Sequence, residues 1–405
     1  MFSRKRLIAM AKSLIWGLKT ARKADFKPGD MVVVGFGRLY IELAAIVQSL
    51  LIAEGINVIL EMMLTPEMER NLYSMGDDDQ LQFLPQWMLD KQESINGIMM
   101  ILAYESLTHL KDLDPTRMAL AQKSKKPILE IRNRRETSGD LGWTLCVMPT
   151  EALAEEAGMS LEEYEDEVAK ICHLDGDSVA FWENLHNEAK EAKRYLNSLD
   201  VDYFHIISES GKTDLKVYPG EFRQWIGVSG HNIPSFEIFT SPDCHKTEGI
   251  FFANCTMFKD GNRVSGVTLE FKNGRVINCM AEEGDEFLHQ QVRMDSTSDM
   301  LGEFSLTDTK ASSITKFMAS TLYDENVGGE HGNCHVAVGR GFVEAYCGDK
   351  ELTPDLMKQI GINSSAQHWD LISTEKKIVT AHLKNGKEIV IYKDGSFIIP
   401  EPAMC

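Results

Sequence analysis

The stretch KPGDMVVVGFGRLYIELAAIVQSLLIAEGINVIL, residues 27–60, decides the first half of the fold. Lys27-Pro28-Gly29-Asp30 is turn chemistry, with proline fixing one φ and glycine free to take a positive one. Met31 to Gly35 is a short apolar run rich in valine, and it reads as a buried strand. Beyond it, Leu43, Ala44, Ile46, Val47, Leu50 and Leu51 recur at helical spacing up to Glu54. Gly55 stops that helix, and Ile56 to Leu60 reads as a second strand. Strand, helix and strand within roughly thirty residues make a βαβ unit, whose two strands run parallel.

Working outward, Gly97–Ala103 and Pro127–Ile131 read as further strands of the same parallel layer. Ser160 and Glu163 form a capping box that opens a helix running through Ile171, and Ser178–Ser198 reads as a second helix. After Ser198 the pattern changes. Tyr203–Ser208, Leu215–Tyr218, Gly249–Ala253, Val264–Phe271 and Val276–Met280 are short strand-like runs divided by glycine, asparagine and aspartate. Helices are expected over Phe287–Arg293 and Ala311–Leu322. The expectation is an α/β chain: an N-terminal parallel α/β domain over residues 1–200, then a mixed, mostly antiparallel α+β domain over residues 201–405.

Composition narrows the function. With 43% hydrophobic and 25% charged residues in 405, the chain is an ordinary globular protein with enough length for two cores. A net charge of −19 argues against nucleic acid or an anionic membrane as partner, since both demand a basic footprint. The eight cysteines contain no Cys-x-x-Cys pair, so neither a zinc knuckle nor a redox dithiol is expected. Their scatter suits a reducing compartment. Met1–Lys23 is basic and amphipathic, with Leu7, Ile8, Ala11, Leu14, Ile15 and Leu18 at helical spacing. Lys12 interrupts its apolar face and no small-residue cleavage site follows, so a secretory leader is not expected, and an organellar transit peptide is the minority reading. No run of 18 apolar residues offers a membrane span. The expected location is the cytoplasm.

Gly35-Phe36-Gly37 with Glu61 downstream hints at dinucleotide binding, but the third glycine of that fingerprint is replaced by Tyr40. An ordinary strand-to-helix turn explains it better.

The second half carries the chemistry. In His368-Trp369-Asp370, residues two apart on a strand point to one face, which pairs an imidazole with a carboxylate. Asp324-Glu325-Asn326, a glycine-rich bend (Gly328, Gly329, Gly332) and His335-Val336-Ala337-Val338-Gly339 suggest a hairpin with His335 on one arm and Glu325 on the other. Glu237 and Glu303 are single carboxylates among apolar neighbours, to be neutralised, paired or bound to a cation. Each element taken alone is as readily a hydrogen-bonded pair or a salt-bridged glutamate. Nitrogen and oxygen donors converging from separate strands are what a divalent metal requires. Cys334, beside His335, points to the opposite face and reads as packing.

These motifs together resemble the metal-dependent aminopeptidases of the aminopeptidase T and aminopeptidase S family. That family carries Asn-x-Pro-x-Gly-Glu-x-(Phe/Tyr)-Thr-x-Pro, matched at residues 232–242 except at one place. It carries Leu-Gly-Glu, matched at 301–303, and Asp-Glu-Asn followed by His-x-Ala-x-Gly, matched at 324–326 and 335–339. It carries a C-terminal His-x-Asp, matched at 368–370. The N-terminal half resembles it more loosely. The resemblance implies a metallo-aminopeptidase that removes N-terminal residues from peptides. It implies two divalent metal ions (Zn, Co, Mn or Mg) held by Glu237, Glu303, Glu325, His335, His368 and Asp370. Glu303 would move the proton, and a homodimer would be the working form.

Two positions depart from the family. Phe236 stands where it has glycine, and Phe342 where it has tyrosine. Tyr346 is a nearby hydroxyl. The loop Val327–Cys334, with His331, is long. These departures motivate an alternative, a catalytically altered relative that binds metal or hydrolyses another small amide.

Overall fold

The computed structural model describes residues 2–400. Its first layer is a five-stranded parallel sheet in the order Asn57–Met62, Met31–Phe36, Gly97–Leu102, Gly142–Val147 and Asn232–Ile233. The βαβ unit stands as read, with the helix Ile41–Ala53 between its strands. Gly29 has φ of 95° in the launching turn, a value that suits glycine. The N-terminal helix, Arg4–Ala21, buries Leu7, Met10, Leu14 and Leu18 against this sheet and the long helix Ser178–Asn197.

Three expected elements differ. Pro127–Ile131 is not a strand but lies within the helix Lys126–Thr137, and the parallel strand falls later, at Gly142–Val147. Pro127 sits in the first helical turn, where its missing N–H costs nothing, and a run of five apolar and charged residues cannot reveal its period. The expected helix Ala311–Leu322 is largely irregular, with one short helix at Thr321–Asp324. Side chains there bind the backbone instead: the Ser312 hydroxyl donates to the Asn326 carbonyl, and Asp324 accepts from the N–H groups of Met318 and Ser320. The span Val264–Phe271 divides into Asn262–Val264 and Val267–Lys272 around Gly266 at φ 62°.

Besides a two-stranded hairpin, the described residues of the second half build two larger antiparallel sheets. One has eight strands, with Val201–Ser208 and Lys377–Leu383 at its middle. The other has four, in the order His368–Ser373, Asn333–Gly339, Leu301–Thr307 and Glu237–Thr240. Alternation gives this small sheet two unlike faces. Ile238, Phe304, Leu306, Val336, Val338, Trp369 and Leu371 belong to the main core, where Phe304 meets Phe204 and Trp225. The opposite face carries the polar residues.

Candidate metal centre

Register brings that polar face together. Ser305 pairs with His335, Thr307 with Glu237, Ala337 with Asp370 and Gly339 with His368. Directly opposed residues share a face, so Glu237, Glu303, His335, His368 and Asp370 all project the same way. The residues between them are Ser305, Ala337 and Gly339, small enough to leave the functional groups room.

The distances are short. His335 Nε2 lies 3.1 Å from Glu237 Oε2 and 3.2 Å from Glu303 Oε1. His368 Nε2 lies 3.0 Å from Asp370 Oδ1 and 3.5 Å from Glu303 Oε2. Two triads result, Glu237–Glu303–His335 and Glu303–His368–Asp370, each with ligand atoms within 4.8 Å of one another. Glu303 belongs to both. Glu325 stands beside them without joining either triad. It ends the short helix instead of lying on a hairpin arm, a correction to the expected hairpin. It lines the same cavities as His368 and Asp370. The three residues of Asp-Glu-Asn divide their work: Asp324 binds backbone, Glu325 faces the cavity, and Asn326 Oδ1 accepts the Phe236 N–H at 2.6 Å.

The electrostatics are those of carboxylates crowded out of water. Burial, together with Glu237, pushes Glu303 up to about 7 despite its contacts with His335. Burial also raises Glu325 well above its ordinary value, with Glu237, Asp370 and Glu303 adding to the effect. For both histidines burial opposes the charge, but the facing carboxylates win: Glu237 and Glu303 raise His335, and Asp370 and Glu303 raise His368. Asp370 moves the other way, to about 2, because contact with His368 outweighs burial. Among the described residues, no lysine or arginine forms an ion pair with Glu237, Glu303, Glu325 or Asp370.

The donor set fits divalent cations. His335 Nδ1 faces Asn333 Oδ1 at 3.3 Å, and His368 Nδ1 faces the Arg340 carbonyl at 2.7 Å. Each imidazole can give its N–H outward, which leaves the Nε2 lone pair aimed at carboxylates about 3 Å away. Lone pairs facing anions need a proton or a cation between them.

Neither family departure disturbs this face. Phe236 is 2% exposed and its ring packs 5.5 Å from that of Trp182, in the core and not in the cavity. Phe342 does line the cavity, its ring 5.0 Å from His368 and 5.2 Å from Phe239. Tyr346 packs beside Phe222, outside that cavity's lining, and does not replace a hydroxyl there. Glu61 is paired with Lys91 at 2.7 Å, which leaves no free acid for a ribose at the Gly35-x-Gly37 turn.

Sequence reasoning missed several neighbours. The Ser305 hydroxyl donates to Glu237 Oε2 at 2.9 Å; it lies two residues after Glu303, so period-two spacing could have found it. A third cluster, Glu136, His231 and Glu344, joins residues far apart in the chain and carries no sequence signal. Glu136 Oε1 accepts from Trp143 Nε1 at 2.7 Å and lies 2.9 Å from His231 Nε2. Burial and the adjacent Glu136 push Glu344 up to about 8. Glu344 and His231 line the same cavity of about 300 Å³ as Glu237, Glu303, His368 and Asp370.

Comparison with known proteins shows the family and the fold. The profile of the thermophilic metalloprotease family (M29) matches residues 3–397. Aminopeptidase AmpS of Bacillus subtilis (strain 168) is 26% identical over 353 residues, 82% of this chain and 84% of that protein. Aminopeptidase T of Thermus thermophilus is 25% identical over 361 residues, 82% and 85% of the two chains. The solved structure of wild-type AmpT from Thermus thermophilus superposes with a TM-score of 0.78, covering 98% of this chain and all of that one at 20% identity, and so shares the fold.

Proposed function

We propose, for a chain that belongs to the thermophilic metalloprotease family (M29), that it is an aminopeptidase cleaving the N-terminal residue from peptides. The observation that carries this reading is the pair of triads sharing Glu303, to which no lysine or arginine among the described residues is ion-paired. Glu237, Glu303 and His335 would hold one divalent cation, and Glu303, His368 and Asp370 a second. Bound there, such cations supply Lewis acidity toward the scissile carbonyl and lower the pKa of the attacking water.

The chain's own groups supply the rest. Both imidazoles face Glu303, which commits that carboxylate to holding the centre together. Glu325, outside both triads and with a raised proton affinity, is the better carrier of a proton from water to the departing amine. The shuttle role that sequence gave to Glu303 passes in this reading to Glu325. Asn333 and the Arg340 carbonyl fix the imidazole rings. The cavity of about 300 Å³ admits a side chain and little more, which favours cutting at a chain end. The same reading makes zinc, cobalt, manganese or magnesium the cation and a cytoplasmic homodimer the working form.

The experiment is hydrolysis of aminoacyl chromogenic amides before and after chelation. Activity should vanish with chelator, return with a divalent metal, and fall by about 10²–10⁴ in Glu325→Gln with metal content unchanged. A protein that binds two metals per chain and turns over no aminoacyl amide with any of them would end this reading.

A further inference from the structure

Two cavities meet at the candidate centre. The one described above is lined by Glu237, Glu303, His368 and Asp370; the second, of about 480 Å³, shares Leu145, Asn232, Glu325, His368 and Asp370 with it and extends past Tyr104, His109 and Lys259. Lys259 is the one lysine or arginine in that second lining. It sits in the small hairpin formed by Met257–Lys259 and Asn262–Val264, and its Nζ lies 5.9 Å from the centre of the Trp369 ring.

The amine has little to bind. Nζ donates to the His368 carbonyl at 3.3 Å, and among the described residues no carboxylate lies within ion-pair distance of it. Glu69, in the same lining, is taken by His109 at 2.8 Å. Asp260 and Asp370 act on it only from beyond that distance, and a buried lysine so loosely paired is costly unless a ligand brings a closer counter-ion. A carboxylate on the substrate is the group that fits.

Resting on the aminopeptidase reading, we propose that Lys259 anchors the free C-terminal carboxylate of a short peptide, and that di- and tripeptides are the substrate class. A peptide whose scissile carbonyl lies at the triads places its N-terminal residue in the first cavity and its leaving part in the second. The amine is tied to His368 itself, so the carboxylate it holds is close to the cut bond. Each further residue moves that carboxylate away by about 3.3–3.6 Å, so binding weakens as the peptide lengthens.

The test compares leucylglycine with its C-terminal amide on the metal-loaded protein. The wild type should favour the free acid in kcat/KM by roughly tenfold or more, the size of one charge-assisted hydrogen bond. Lys259→Met should bring the ratio to about one, chiefly through KM for the acid, and Lys259→Arg should keep the preference. Equal use of acid and amide by the wild type overturns the inference alone. So does an equal loss for both substrates in Lys259→Met, which would place the amine at the reacting carbonyl. Turnover of neither substrate overturns the aminopeptidase reading and the inference with it.

Discussion

Glu303→Gln separates a centre built to hold cations from a set of carboxylates that merely pair with histidines. The substitution keeps the volume and removes one charge from the point where both triads meet. In the metal-free protein Glu303 is pushed from 4.5 to about 7, chiefly by burial. Between those values the folded state holds a proton that the unfolded chain has released, so stability falls as pH rises and the full cost is present above about 7. That cost is about 3 kcal/mol, and glutamine does not incur it. At pH 8.5 with chelator, Glu303→Gln should therefore be more stable than the wild type, by about 3 °C at roughly 1 °C per kcal/mol for a chain of this length. Divalent metal at a hundredfold excess over its Kd stabilises the wild type by ~2.7 kcal/mol per site. The variant, lacking the shared ligand, should gain little. The order of the two melting temperatures should invert between chelator and metal, as read by calorimetry. A variant that melts lower than the wild type in chelator, with the same metal shift, would refute the reasoning, because Glu303 would then be a stabilising partner of His335 and His368.

Three further outcomes are expected. Phe342→Tyr adds a hydroxyl where the ring already meets His368; kcat for aminoacyl amides should rise about tenfold or more with metal content unchanged, and an unchanged kcat would mean that no oxyanion donor is missing there. Phe236→Gly restores the family residue but empties a core site against Trp182, so denaturant unfolding should register a loss of about 3–5 kcal/mol while KM stays constant. Glu344 retains its proton up to about pH 8 in the fold but not in the unfolded chain, so wild-type stability should decline from pH 5 to pH 9; Glu344→Gln should gain on the order of 5 kcal/mol over the wild type at pH 9 and no more than about 1 at pH 5, as measured by urea titration.

The first βαβ unit, the capping box at Ser160 and the helix over Ser178–Asn197 follow from local spacing, because each is stabilised by neighbours within a few turns. Pro127–Ile131 is too short a run to show its period, and in Ala311–Leu322 side chains such as Ser312 and Asp324 bind backbone outside the helical pattern, which spacing does not report.

The sequence by itself offered the candidate residues, through its resemblance to a family and through single carboxylates and imidazoles alternating with Val336, Val338, Trp369 and Phe304, a pattern legible as one polar and one apolar face of a strand. Only the tertiary structure decided that these faces meet. Pairing His335 with Ser305, Asp370 with Ala337 and Glu237 with Thr307 depends on register between strands up to about 70 residues apart, and a slip of one residue would turn each of these side chains into the core. The position of Glu325 off the sheet, the seating of Phe236 in the core, and the meeting of Lys259 with His368 come from packing between distant segments, for which a one-dimensional pattern has no period to offer.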